Sequence, residues 1–108
     1  MNSSTYYSKI QKIADTYGYD AQSRQCIEEM AELTVAINKY YCGMKDFREH
    51  LNPPSPKKPL PLKELDNLVE EIADVQIMLL QMTYLLNADV IPIIEQKLDR
   101  QVERIGNG

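Results

Sequence analysis

The sequence predicts an all-α, four-helix, bundle-like single domain. Apolar residues recur at intervals of three and four along most of the chain, as on one side of a helix. Helix-ending and helix-starting residues separate these stretches, and no segment shows the alternation of a half-buried strand. With 108 residues, 44% hydrophobic and 26% charged, the chain is long enough for one small core. We expect residues 1–108 to form one domain that oligomerisation completes.

Each predicted helix is bounded by residues that favour helix ends. Gly18 and Gly43 follow the first two helices, and glycine readily adopts the left-handed backbone that often ends a helix. Asp20 and Asp89 are expected N-caps, because a carboxylate can accept a hydrogen bond from a free backbone amide. Residues 106–108 are expected to form a frayed tail. The expected helices are Thr5–Tyr17, Asp20–Tyr41, a third from Leu62 or Lys63 to Leu86, and Asp89–Ile105.

A proline-rich loop is predicted between the second and third helices, over residues 43–62. Five prolines fall within residues 53–61. Because proline fixes φ and lacks a backbone N–H, this density excludes a helix or a central strand. We expect an extended connection there.

Charge and composition disfavour several classes of protein. The net charge is −4, with 16 acidic and 12 basic residues, which does not favour a nucleic acid polymer as partner. No apolar run reaches the ~18 residues of a membrane span, and the N-terminus lacks a secretory signal pattern. Cys26 lies in the second predicted helix and Cys42 directly follows its end, sixteen residues later, which on a helix is roughly 24 Å, so the two are not expected to bridge each other. We expect a cytoplasmic protein with no membrane partner.

Two pairs of acidic residues suggest a metal site. Glu29 and Glu32 are three residues apart in the second predicted helix, and Glu71 and Asp74 are three apart in the third. Residues at this spacing share a helix face. Packing the two helices together would bring four carboxylates into one partly buried space, which requires protons or a cation. Magnesium prefers such oxygen ligands, and its remaining positions would suit a polyphosphate.

Two rival interpretations of these acids need weighing. Acidic clusters on helices are usually solvated surface, and the residues alone favour neither that interpretation nor the metal site. A diiron or dimanganese bundle needs Glu-x-x-His on two helices. The one histidine, His50, lies in the proline-rich region and does not follow a glutamate by three residues. The diiron interpretation is therefore weak.

Two segments, Gly18–Tyr41 and Leu68–Met82, resemble the MazG-like all-α nucleoside triphosphate pyrophosphohydrolases. That family carries the motif EExxE on one helix and the motif ExxD on a later helix. The matching motifs in this sequence are Glu28-Glu29-x-x-Glu32 and Glu71-x-x-Asp74. Residues 97–104 also resemble the basic last helix of the family. The likeness covers about two-thirds of the chain. One departure is the gap of 38 residues between Glu32 and Glu71, which is longer than is usual in the family.

The resemblance implies a magnesium-dependent enzyme, for which manganese could substitute, that splits nucleoside triphosphates into monophosphate and pyrophosphate. It implies metal ligands at Glu29, Glu32, Glu71 and Asp74. Glu28 would be a supporting ligand or the catalytic base that orients water. The expected phosphate contacts are Lys97, Arg100 and Arg104, and the expected base or sugar contacts are Gln22 and Gln25.

Other functions remain open from the sequence. A non-catalytic helical interaction or regulatory module could use the acidic face to bind a basic partner. A dUTP or phosphoribosyl-ATP pyrophosphohydrolase would keep the fold and change the substrate. We also expect a homodimer or homotetramer, because the third predicted helix is apolar on nearly all sides and three short neighbours cannot cover it.

Overall fold

Three helices make up the described part of the chain, residues 3–49 and 59–107 of the computed structural model. They are α1 (Ser3–Glu49), α2 (Leu62–Leu85) and α3 (Ile91–Asn107). No strand occurs in these ranges, so the all-α prediction is confirmed there. The predicted number of four helices is wrong.

The difference in number arises at Gly18. The first two predicted helices meet directly at Gly18, whose backbone is not helical (φ 81°, ψ 173°), and together they form α1. Glycine tolerates this backbone because it has no Cβ, and the helix resumes at once on the other side. The predicted end of the first helix therefore coincides with a real bend, but not with a separate loop.

Gly43 does not end a helix, so this predicted boundary is wrong. α1 continues through Gly43 to Glu49, and residues 43–49 of the predicted loop are helical. A Cβ on Gly43 would lie 2.7 Å from the Cβ of Pro61, which is buried. Gly43 thus permits close contact between α1 and the residue that precedes α2. Residues 59–61 are not helical, and residues 50–58 lie outside the described residues.

The boundaries of α2 and α3 follow the sequence closely. α2 begins at Leu62 and ends one residue before the predicted end. Asn87 then takes a left-handed backbone (φ 49°), which asparagine tolerates better than most residues. α3 begins at Ile91, two residues after the predicted N-cap Asp89. It extends to Asn107, so residues 106 and 107, predicted to be frayed, are helical.

α1 and α2 pack antiparallel and form the core. Two side-chain contacts mark their register: Gln22 Nε2 donates to Gln81 Oε1 at 2.7 Å, and the Tyr84 hydroxyl lies 2.9 Å from both carboxylate oxygens of Asp15. Residue numbers thus rise along α1 as they fall along α2. The buried apolar residues are Ile10, Ala14, Cys26, Ala36, Val75 and Met78.

The face of α1 that contacts α2 is not its most apolar face. Most of the large apolar residues between positions 20 and 41 stay exposed, with Ile27 at 63% and Met30 at 42%. Cys26 and Ala36 are buried instead. Small side chains let two helix backbones approach closely, so packing favours this side and leaves larger apolar residues uncovered.

α3 packs against neither α1 nor α2. Its side chains are exposed along the described helix. This leaves the apolar side of α3 without a helix packed on it among residues 3–49 and 59–107. The large apolar residues on α3 are Ile91, Ile93, Ile94, Leu98, Val102 and Ile105.

Two further observations bear on the predictions made from composition. Among the described helices, none has the length and apolar character needed to cross a membrane. Cys26 and Cys42 are both free, the first buried and the second exposed, which agrees with the prediction that they do not bridge each other.

Candidate metal centre

Three carboxylates meet between α1 and α2. Glu29 of α1 and Glu71 and Asp74 of α2 each offer one oxygen, and these oxygens all lie within 4.8 Å of one another. Glu29 and Glu71 are half-buried, whereas Asp74 is exposed. The antiparallel packing therefore brings together three of the four metal ligands expected from the sequence, in a cluster that is closed on one side and open on the other.

Two oxygens in this cluster are shielded from solvent and lack a donor. Glu29 Oε2 and Glu71 Oε2 have no hydrogen-bond partner among the described residues. The other Glu29 oxygen, Oε1, accepts a bond from Gln25 Nε2 at 2.9 Å. A buried carboxylate oxygen without a donor or cation is costly. The unsatisfied oxygens are the kind of site that a hard cation would stabilise.

The electrostatics of Glu71 reflect the same crowding. Its pKa is raised above the ordinary value of 4.5, first by burial and then by the nearby carboxylates of Glu32, Glu29 and Asp74. The hydrogen bond that a protonated Glu71 can donate to the Glu29 carboxylate raises the pKa of Glu71 further. Each effect disfavours the ionised form. The cluster is therefore relieved by binding either a proton or a cation.

Glu32 and Glu28, which the resemblance also assigns to the site, are not among the three clustered carboxylates. Both side chains are exposed. Glu32 is close enough to raise the pKa of Glu71.

A cavity of about 510 Å³ adjoins the cluster. Glu32 and Glu71 form part of its wall, together with Lys39 of α1 and Glu64 and Asn67 of α2. Its size is within the range typical of small-molecule sites. Lys39, Glu64 and Asn67 were not predicted from the sequence. Spacing could have indicated the first two, because Lys39 follows Glu32 by seven residues and Glu64 precedes Glu71 by seven, two helical turns along the same row.

The two glutamines expected to contact substrate have different positions. Gln22 is 8% exposed and is bonded to Gln81, which is 1% exposed. A substrate contact through Gln22 would require this bond to break. Gln25 instead donates to Glu29, so it positions a carboxylate of the cluster. The sequence analysis did not predict a partner for Gln22, because the bond spans two helices.

The basic residues expected to bind phosphate are on α3. Lys97, Arg100 and Arg104 are exposed, and α3 packs against neither of the helices that carry the acids. Between these three residues and the described acidic residues there is no ion pair. Within one chain, the structure does not bring the basic row to the acidic cluster.

Comparisons with protein-family models, with curated proteins and with solved structures find no match for this chain. The MazG-like resemblance therefore depends on the two acidic motifs and the basic last helix. Function is inferred from that resemblance together with the geometry of the carboxylates.

Proposed function

We propose that this chain is a magnesium-dependent nucleoside triphosphate pyrophosphohydrolase, which cleaves ribo- or deoxyribonucleoside triphosphates between the α and β phosphates. The products are the nucleoside monophosphate and pyrophosphate. One observation carries the metal dependence: two shielded carboxylate oxygens without donors, on Glu29 and Glu71, lie in a cluster of three acids. The reaction type follows from the resemblance of the two motifs.

The residues of the cluster fit magnesium. Glu29, Glu71 and Asp74 would hold the ion, and Glu32 is the expected fourth ligand. All four donors are carboxylate oxygens, which hard cations prefer, and manganese accepts the same donors. When bound, the ion would neutralise charge on the phosphates and lower the pKa of a bound water.

Other side chains would position the reactants. Gln25 holds one oxygen of Glu29, which limits how far that carboxylate can turn. Glu28 is exposed and directly precedes Glu29 in α1, and we assign it the role of accepting the proton of the attacking water. Lys97, Arg100 and Arg104 are proposed to bind phosphate. The neighbouring cavity gives room for part of the nucleotide.

The proposed activity is tested by incubating the purified chain with Mg²⁺ and each common ribo- and deoxyribonucleoside triphosphate, followed by phosphorus NMR. We expect monophosphate and pyrophosphate. Diphosphate and phosphate would contradict the cleavage point. The ranking of substrates, with phosphoribosyl-ATP included, separates a general enzyme from a dUTP or phosphoribosyl-ATP pyrophosphohydrolase. The absence of turnover, together with no rise in melting temperature with Mg²⁺ and a non-hydrolysable nucleotide, would favour a helical interaction module.

A matched pair of variants tests the cluster itself. Glu71→Gln removes a carboxylate from the cluster, whereas Glu70→Gln removes one from the adjacent exposed position, which points to a different side of α2. We expect the first variant to lose turnover and the magnesium-induced melting shift, and the second to retain both. Equal losses with unchanged helix content would contradict the assignment of the metal ligands.

A further inference from the structure

The cavity beside the acidic cluster continues into a second cavity. The first, of about 510 Å³, is lined on α2 by Glu71 and Glu64. The second, of about 560 Å³, is lined by Glu64 and by residues 59–61, which precede α2. Val35 and Lys39 of α1 line both cavities. Because the two cavities share these walls, they form one groove between the helices, and the carboxylate cluster lies at one end of it.

Lys39 and Glu64 carry the charges at the point where the two cavities meet. Lys39 is exposed and Glu64 is half-buried, and neither side chain has a hydrogen bond or an ion pair within residues 3–49 and 59–107. A glutamate at the third position of a helix often accepts a bond from the backbone N–H of the N-cap residue. The N-cap of α2 is Pro61, which has no N–H. Glu64 therefore lacks its usual local partner and lines the groove instead.

The charges of the first cavity determine which part of a nucleotide it can hold. Its described wall carries the carboxylates of Glu32, Glu64 and Glu71 against one ammonium group, that of Lys39. Phosphate groups would be stabilised by the cation at the cluster, but a phosphate further along the groove would be repelled by Glu64. The part of the nucleotide that lies between Glu64 and Lys39 is therefore an uncharged one.

The spacing along α2 leaves room for a sugar before this uncharged part. Glu64 precedes Glu71 by seven residues, which is about 10 Å along a helix. With the α phosphate at the cluster, the ribose would lie beside the intervening turn and the base would reach Glu64. The same cavity has an apolar wall formed by Ala31, Val35 and Ala36, which suits the flat face of a base.

The hydrogen-bonding groups of Glu64 and Lys39 match one common base better than the others. A carboxylate has two accepting oxygens, whereas an ammonium group only donates. Guanine presents two adjacent donors, N1–H and the N2 amino group, next to the acceptor O6 on its Watson–Crick edge. Adenine and cytosine each present a single donor group on this edge, and uracil and thymine present one donor between two acceptors.

We propose that Glu64 and Lys39 select guanine nucleotides. The carboxylate of Glu64 accepts hydrogen bonds from N1–H and the N2 amino group, and the ammonium group of Lys39 donates to O6. This inference rests on the proposed function, which places the α phosphate at the cluster, and it names the substrates as GTP and dGTP. It also moves the base contacts away from Gln22 and Gln25, whose amides already donate within the chain.

Binding measurements test the base contact without turnover. Isothermal titration calorimetry with Mg²⁺ compares the α,β-methylene triphosphates of guanosine, inosine, adenosine, cytidine and uridine, which share the same uncleavable phosphates. We expect the guanosine analogue to bind best. The inosine analogue lacks the N2 amino group and should bind about tenfold to hundredfold more weakly. Equal affinities for these two, tighter binding of another analogue, or no binding by any of them would overturn the proposal.

The outcomes separate this inference from the proposed function. Hydrolysis of all nucleoside triphosphates at equal rates would overturn guanine selection and leave the pyrophosphohydrolase assignment standing. Binding that is selective for guanine, without hydrolysis of any triphosphate, would uphold the base site and contradict the proposed activity.

A matched pair of substitutions tests Glu64 itself. The amide in Glu64→Gln offers one acceptor and one donor, which pair with the N6 amino group and N1 of adenine instead of with two donors of guanine. We expect this variant to prefer the adenosine analogue over the guanosine analogue by about tenfold. Glu70→Gln removes the same charge from an exposed position of α2 that lines neither cavity and should keep the preference for guanosine. If Glu64 only stabilised the first turn of α2, Glu64→Gln would change the melting temperature but not the order of affinities, and that result would overturn the proposal.

A second pair tests Lys39. Lys39→Met removes the donor to O6, so we expect the ratio of guanosine to adenosine affinity to fall by about tenfold. The control is Lys12→Met, because Lys12 is exposed on α1 and lines neither cavity, and it should leave the ratio unchanged. An equal loss of affinity for both analogues in Lys39→Met would mean that this lysine contacts phosphate, which would contradict its assigned role.

Discussion

The hydrogen bond between Gln22 and Gln81 offers the sharpest test of how α1 and α2 hold their register. Gln81 is 1% exposed and Gln22 is 8% exposed, and their side chains meet at 2.7 Å. Gln81 Nε2 also lies 3.7 Å from the sulfur of Met78. Replacing Gln81 by leucine keeps the side-chain volume similar but leaves the Gln22 amide buried without its acceptor.

The size of the effect follows from that unpaired amide. A buried polar group that loses its partner costs about 1–3 kcal/mol, whereas replacing both partners by apolar groups is close to neutral. We therefore expect Gln81→Leu to lower the free energy of unfolding by about 2 kcal/mol, which corresponds to roughly 10 °C in melting temperature. The double variant Gln22→Leu/Gln81→Leu should recover most of this loss.

Thermal unfolding followed by circular dichroism measures all four members of the cycle. Protein concentration must be equal throughout, because any self-association of the folded chain would make the melting temperature depend on concentration. Each single variant should cost about 2 kcal/mol and the double variant little, so the double variant should be more stable than the sum of the two single effects by about 3 kcal/mol. Strictly additive effects of Gln22→Leu and Gln81→Leu would refute a direct interaction between the two amides.

Three further predictions follow from contacts elsewhere in the chain. Gly43→Ala should lower the free energy of unfolding measured in urea by about 1–3 kcal/mol, because the new Cβ would lie 2.7 Å from the proline before α2. The control is Gly106→Ala, whose Cβ would have nothing within 4 Å. It should raise the free energy of unfolding by about 0.5–1 kcal/mol. Without metal, Glu71→Gln should be more stable than the original chain at neutral pH. The raised pKa of Glu71 means that the folded state binds the proton more tightly than the unfolded state. The original chain therefore gains stability as pH falls toward 4.5. In melts recorded over a pH series, the difference in stability between Glu71→Gln and the original chain should shrink as pH falls. The pKa of Tyr84 is raised, chiefly by its hydrogen bond to Asp15, so Asp15→Asn should lower it in an ultraviolet titration, and an unchanged pKa would count against that bond.

The limits of the helices were predictable where local chemistry sets them. The proline before Leu62 and the asparagine at position 87 bound α2, and the structure agrees. Gly43 misled the analysis because its role is tertiary: it admits Pro61, and no local pattern distinguishes that from a helix end. Gly18 did mark a bend, but a helix can resume immediately after one non-helical residue.

The packing faces were harder to predict than the helices. Periodicity identifies an apolar side, but α1 and α2 each have two apolar sides. The face with Cys26 and Ala36 is buried within the chain, and the face with Met30 and Ile37 is exposed. The sequence alone does not show which of the two faces packs against the other helix, since that choice depends on how closely the two backbones can approach.

The candidate site was largely predictable because spacing on a helix is local. Three-residue spacing identified Glu71 and Asp74 as neighbours, and side-by-side packing added Glu29, as the structure has it. The side chain that donates a hydrogen bond to the cluster and the residues of the cavity wall were harder to predict from the sequence. The role of Gln25 in holding Glu29, and the contribution of Lys39 to the cavity, depend on which rotamers and rows face the second helix.

The buried amide pair and the acidic cluster are two turns apart on both helices. Gln22 precedes Glu29 by seven residues, and Gln81 follows Asp74 by seven. The carboxylates repel one another, so a slip of one turn, about 5.4 Å, would relieve the cluster while apolar contacts re-formed elsewhere. Such a slip would leave both amides buried without partners. The amide pair therefore selects the register in which the carboxylates meet, a role that buried polar residues also play in coiled coils. The double leucine variant should accordingly fold well but respond less to magnesium in a melting assay. An undiminished magnesium shift would show that apolar packing alone selects the register.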